Sequence, residues 1–164
     1  MAHLAEFNIA RLHHPLDAEQ NAEFVAALEP INAIAEATPG FVWRLTAESG
    51  ASASYVDVAE IDDPNVIVNF SIWEDLESFR HFLTKSGHGA YLRRRRDWFE
   101  TPTEANVVCW WIDEGDHPTV AEALARLCTL RVSGPTEQGW PLTHPFVPRP
   151  PMNRDPAPRL LPEL

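Results

Sequence analysis

His88, Leu92, Arg95 and Phe99 recur at intervals of four, three and four, the spacing that sets side chains on one face of a helix. A histidine that titrates near neutrality beside an aimed guanidinium makes a proton acceptor with an anion holder, suited to an enol, phenol or carboxylate ligand. The plainer account has His88 capping a broken helix and Arg95 pairing with Asp97 or Glu100. No nucleophile motif, phosphate-binding loop or full set of metal ligands accompanies the pair. His13 and His14 are adjacent, which suits neither strand nor helix ligation, so no metal site is expected. The run of arginines at 93–96 reads as a solvated helix face or a dimer salt-bridge network, because aromatic stacking platforms do not alternate with it.

These residues need elements to hold them. Residues 66–73 alternate, with Val66, Val68, Phe70 and Ile72 on one face and Ile67, Asn69, Ser71 and Trp73 on the other. Asn and Ser beside Ile and Trp fit the floor of a partly polar cavity. A helix over 76–83, interrupted at Gly87 and Gly89, resumes through Trp98 and would carry His88 and Arg95 over that floor. Residues 4–12 form a first strand with Leu4, Glu6, Asn8 and Ala10 sharing a mixed face. Asp17 and Gln20 open a first helix kinked at Pro30 and stopped by Thr38-Pro39-Gly40. Strands over 41–45, weakly over 54–60, and over 106–112 follow, and Thr119 with Glu122 caps a last helix that Gly134-Pro135 ends.

The order predicts an α+β, ferredoxin-like antiparallel sheet with helices on one face, an extra C-terminal helix and a proline-rich tail. The domain is expected over residues 1–134 and the extension over 135–164. Nothing in the pattern obviously covers the second face of the sheet, so two copies are expected to pack face to face as a homodimer.

The chain has 164 residues, 45% of them hydrophobic, and a net charge of −11, which disfavours nucleic acid and anionic membranes as partners and favours a small-molecule ligand. No apolar run is long enough for a membrane span and the first residues lack the order of a secretory signal, so a cytoplasmic protein is expected. Cys109 and Cys128 are both read as small buried apolar residues.

NIARL at 8–12, GFVWRL at 40–45, VNFSIWEDLESF at 68–79, GHGAYLRRRRDWFE at 87–100 and VVCWWIDEGDHPTVAEALARL at 107–127 together resemble the DUF3291 family of the dimeric α+β barrel superfamily. That superfamily includes antibiotic-biosynthesis monooxygenases, haem-degrading monooxygenases, cyclases and isomerases, so the resemblance implies a scaffold more narrowly than a reaction. Its haem-degrading branch has an Asn on the first strand, then a Trp nine positions and a His nineteen positions after the strand-ending Trp. Asn8 matches, but Phe82 and Leu92 stand at the other two positions, and His88 lies one turn early.

The resulting expectation is an enzyme resembling cofactor-independent monooxygenases or cyclases, acting on an aromatic or polyketide-like ligand without a cofactor. His88 would accept the proton, Arg95 and Asn8 would hold an oxyanion, and Trp73, Asn69, Phe82, Trp43, Arg44 and Tyr91 would line the site. The alternatives are a haem-binding protein and a non-catalytic ligand-binding dimer, the latter favoured if the protein's own aromatics fill the pocket.

Overall fold

The computed structural model describes residues 1–85 and 88–148, and the side chains of 85 and 88 lie outside that description. Four strands, β1 (Ala2–Arg11), β2 (Phe41–Arg44), β3 (Val66–Trp73) and β4 (Val107–Asp113), form one antiparallel sheet in the order β2-β3-β1-β4. The helices are α1 (Ala22–Ala37), α2 (Leu76–Lys85), α3 (His88–Arg94) and α4 (Val120–Ser133). This is the ferredoxin-like order that the strand and helix pattern predicts, with first and third strands paired at the centre.

Period-2 alternation divides the sheet residues into two cores. On one face Leu4, Trp73 and Cys109 pack with Ala35 of α1, Phe79 and Phe82 of α2, and Trp140. On the other face Phe7, Phe70, Ile72, Val108 and Trp110 pack with Ala123, Leu127 and Leu130 of α4 and with Val58. The second face is therefore covered from within the chain, which corrects the expectation of an uncovered face. The sequence pattern gives α4 as an appendage, but Ala123, Leu127 and Leu130 recur at helical spacing and make it the second roof.

Local chemistry accounts for the boundaries. The side chain of Thr119 accepts a hydrogen bond from the Glu122 N–H and starts α4, and Gly134 at φ +74° ends it. At the α1–β2 turn, Gly40 has φ +84°, and a Cβ there would lie 2.1 Å from Ser78 Oγ. Three expectations change. The expected cap at Asp17 is replaced by a one-turn 3-10 helix over Glu19–Asn21 leading into α1. The weak strand at 54–60 is a 3-10 turn, Ala53–Tyr55, followed by irregular chain whose Val56 and Val58 still pack into the second core. Cys109 is buried as expected, whereas Cys128 is exposed on the outer side of α4.

After α4 the chain returns to the sheet. Trp140 exchanges two backbone hydrogen bonds with Cys109, at 2.8 and 2.9 Å, and so pairs with the outer edge of β4. Its ring is completely buried beside Trp111, whose indole N–H donates to the Phe146 carbonyl at 2.6 Å. The proline-rich stretch thus wraps the sheet edge as far as residue 148, while its remainder lies outside the described residues. Trp140→Ala should cost about 3–5 kcal/mol, the usual range for emptying a buried Trp site. Urea unfolding of the full chain measures it, and a loss below about 1 kcal/mol would mean that this segment does not secure the edge.

Candidate functional site

On the face beneath α1 and α2, the sheet register lines up Arg44, Ser71, Glu6 and Cys109 in one cross-strand row, and Asn69, Asn8 and Val107 in the next. Glu6 is the unusual member, a carboxyl only 2% exposed on the central strand. Asn8 Nδ2 donates to its Oε1 at 2.7 Å, Ser71 Oγ donates to its Oε2 at 3.2 Å, and the Trp73 indole N–H donates to Ser71 Oγ at 2.9 Å. Because the indole can only donate, the Ser71 hydroxyl hydrogen is directed at Glu6.

Burial raises the Glu6 pKa from its ordinary 4.5 to about 7, against the opposing pull of the hydrogen bonds from Asn8 and Ser71. Burial also pushes the Cys109 thiol up, and the neighbouring Glu6 charge adds to it. The carboxyl can therefore hold or release a proton near neutrality, the property wanted in a general base or acid.

Exposure increases along this face from Glu6 toward the next cross-strand row. Asn8 is half-buried, and Asn69, on a central strand under the helix layer, is exposed. The helices thus leave an opening over the Asn8–Asn69 row. On one side stand Trp73 and Phe82, stacked at 5.2 Å, with Phe41 and Phe79 around them. On the other, Phe24 of α1 packs on Trp98 and Phe99 at 5.8 and 5.1 Å, and Tyr91 stacks on Trp98 at 6.4 Å. Arg94 pairs with Glu23 of α1 and Asp97 and lies over the Trp98 ring, tying α3 to α1.

The residues singled out in the sequence fall into three groups. Asn8, Asn69 and Tyr91 are at the opening or its wall. Trp73 and Phe82 are buried core residues whose rings fill the space nearest α2. Trp43 is on the opposite face, against Phe70 and His117, because a bulge between Phe41 and Trp43 shifts the register by one residue and turns Trp43 over. Arg44 remains on the helix side, its Nε donating to Glu36 at 2.7 Å, with Nη1 buried and unpartnered.

Arg95 does not keep helical phase with His88. α3 ends at Arg94, the chain tightens into a 3-10 turn over Arg95–Asp97, and Arg95 is exposed. His88 opens α3, but its side chain lies outside the described residues. Glu6 was missed by sequence reasoning, since a lone Glu in an alternating strand reads as a solvent-facing residue. Its companions Leu4 and Asn8, on the mixed face of the first strand, were the available signal.

Of the positions that the resemblance gives to the haem-degrading branch, Phe82 stacks on Trp73 and Leu92 is apolar, so neither supplies a haem ligand. Among the described residues no group of three or more His, Cys, Asp or Glu could hold a metal ion, and no helix is long and apolar enough to cross a membrane. A separate cleft of about 520 Å³ lies between the end of β4, the start of α4 and the wrapped segment, lined by exposed Asp113, Asp116, His117 and Glu122 among others. It holds no buried carboxyl.

The model of a family described as a domain of unknown function, DUF3291, matches residues 3–155. Among solved structures, SnoaB, a cofactor-independent oxygenase from Streptomyces nogalater, is 19% identical, with 74% of this chain and 100% of that chain covered and a TM-score of 0.47. A protein of unknown function from Nitrosomonas europaea is 15% identical over 73% of this chain and 97% of its own, with a TM-score of 0.48. A dabb family protein with a ferredoxin-like fold from Mesorhizobium loti is 15% identical over 69% and 97%, with a TM-score of 0.42. None of the curated proteins matches the sequence.

The raised Glu6 pKa has a stability consequence with a definite sign. Between pH 4.5 and about 7 the folded chain keeps a proton that the unfolded chain has released, so this group makes stability fall as pH rises through that window. The shift corresponds to roughly 2–4 kcal/mol. Glu6→Gln should flatten that fall and raise stability at pH 8 by on the order of 2 kcal/mol, since Asn8 can turn its carboxamide to accept from the new amide. Urea unfolding of both proteins at pH 5 and pH 8 measures the difference, and identical pH profiles would show that Glu6 ionises like a solvated carboxyl.

Proposed function

The chain belongs to the DUF3291 family, and for this member we propose proton-transfer chemistry on a small enolisable ligand bound over the Asn8–Asn69 row. Glu6 is the proton acceptor in this reading, taking the part that the sequence pattern assigned to His88. The observation that carries it is a carboxyl 2% exposed and poised at about pH 7, separated from an opening in the helix layer by one amide.

A ligand C–H or O–H that displaces the Asn8 amide from Oε1 takes its place on the carboxylate. The proton moves to Glu6 and the electron pair stays on the ligand as an enolate or phenolate. The displaced Asn8 N–H groups and Asn69 then face the developing oxyanion, while Ser71 and Trp73 hold the other carboxyl oxygen in place. Return of the proton to a different atom gives isomerisation, attack of the enolate carbon on a carbonyl gives cyclisation, and reaction with dioxygen gives oxygenation. All three fit a planar aromatic or polyketide-like ligand, and the aromatic groups on either side of the opening support that shape. None of these steps calls for a cofactor.

A non-catalytic binding role has one observation in its favour, the stacked Phe82 and Trp73 that fill the space nearest α2. The buried carboxyl favours catalysis, because burying a titratable group costs stability and groups so perturbed cluster at functional sites. We also read the site as complete within one chain. The homodimer expected from the sequence rested on an uncovered sheet face, and α4 covers it.

With a hydroxyanthrone as an enolisable planar probe, Glu6→Gln should lower turnover by about 100-fold or more while leaving ligand binding within a few-fold. The wild-type rate should rise with pH through a midpoint near 7, and that rise should be absent from the variant. Equal turnover in the two proteins would remove Glu6 from the chemistry. Light scattering should report the 18.5 kDa mass of a single chain, and a stable dimer would require an interface other than the face that α4 covers.

A further inference from the structure

The arginines of the described residues divide into two groups. Arg11, Arg44, Arg94, Arg126 and Arg131 each lie within ion-pair distance of a carboxylate. Arg80, Arg93, Arg95 and Arg96 are exposed and have no such partner among the described residues. All four fall on α2, α3 and the turn that follows. In a chain of net charge −11, the arginines that lack an ion pair among the described residues thus fall on the segment beside the opening over Asn8 and Asn69.

This segment is held in position. Glu100 N–H donates to the Arg11 carbonyl and His13 N–H to the Trp98 carbonyl, both at 2.9 Å, which fastens it to the end of β1. Arg11 is three residues, or about 10 Å of strand, beyond Asn8. The nearest acidic side chains are engaged elsewhere, Asp97 and Glu23 with Arg94, and Glu100 with Arg11. Arg93, Arg95 and Arg96 have no side-chain acceptor among the described residues, and guanidinium groups match phosphate and carboxylate in geometry as well as charge.

We propose that Arg93, Arg95 and Arg96 receive an oxyanion, phosphate or carboxylate, carried by the ligand whose enolisable part sits over Asn8 and Asn69. This names an anionic class for the substrate and rests on the proton-transfer reading above. The acidic surface as a whole repels such a ligand, and the arginine segment focuses it onto the opening, an effect that salt weakens.

Calorimetric titration of the full chain with 1-naphthyl phosphate, 1-naphthol and inorganic phosphate separates the sources of binding. The phosphate ester should bind about tenfold more tightly than either of the others at low salt. That advantage should vanish when Arg93→Gln, Arg95→Gln and Arg96→Gln are combined, return when the three are Lys, and shrink in 0.5 M salt. Equal binding of naphthol and its phosphate, or of naphthyl phosphate and inorganic phosphate, would overturn the proposal. So would tighter binding of a single-stranded oligonucleotide than of the ester, or an unchanged advantage in the triple Gln variant with its thermal unfolding intact. Naphthyl phosphate binding requires no proton transfer, so failure here leaves the role of Glu6 standing, and inactivity attributable to Glu6 leaves this titration unaffected.

Discussion

Keeping both faces of a four-stranded sheet out of water is the constraint that organises this molecule. β1 is the central strand on which it bears hardest, since residues 4 to 7 are all buried and point alternately into the two cores. One face is closed by α1, α2 and the segment around Trp140, the other by α4 and the irregular chain that carries Val58. A carboxyl placed on such a strand has no water to retreat to. Its charge must be matched by hydrogen bonds or lost by protonation, and Glu6 lies between those outcomes because two donors only partly offset its burial.

The same constraint shapes the wall of the opening. α3 is only seven residues long and contributes little apolar surface. It is kept in place by the bonds of Arg94 to Glu23 and Asp97 and by the stacking of Tyr91 and Trp98. Exposed ion pairs are individually weak, so this segment relies on buried Trp98 and on the backbone bonds of Trp98 and Glu100 to the end of β1, whereas α1 and α2 are anchored by buried apolar side chains. In the proposed function, Trp73 and Ser71 position the carboxyl while α3 borders the entrance.

Much of the scaffold could be read from residue types. The bounds of β3 follow from the alternation of Val66, Val68, Phe70 and Ile72, and those of α4 from Thr119 and Gly134, because these signals act within one element. The site was legible only in part. Asn8 and Asn69 were found because polar residues on an otherwise apolar face stand out at period two. Arg95 was misplaced because helical phase was extended through a point where the chain tightens into a 3-10 turn. Trp43 was misplaced because a one-residue bulge, which carries no composition signature in Phe41-Val42-Trp43, reverses every facing beyond it.

The sequence by itself determined the element order, the ferredoxin-like strand arrangement, and two asparagines on one face, since each depends on periodicity and turn chemistry along a few residues. Only the tertiary structure decided that α4 roofs the second face, that Trp140 seals the edge of β4, and that Glu6 is the buried acid. Those outcomes depend on what lies across the sheet from each residue. A carboxyl's protonation is set by the groups that take the place of water around it, and Asn8, Ser71 and Cys109 reach Glu6 by hydrogen bonds and strand register rather than by sequence alone.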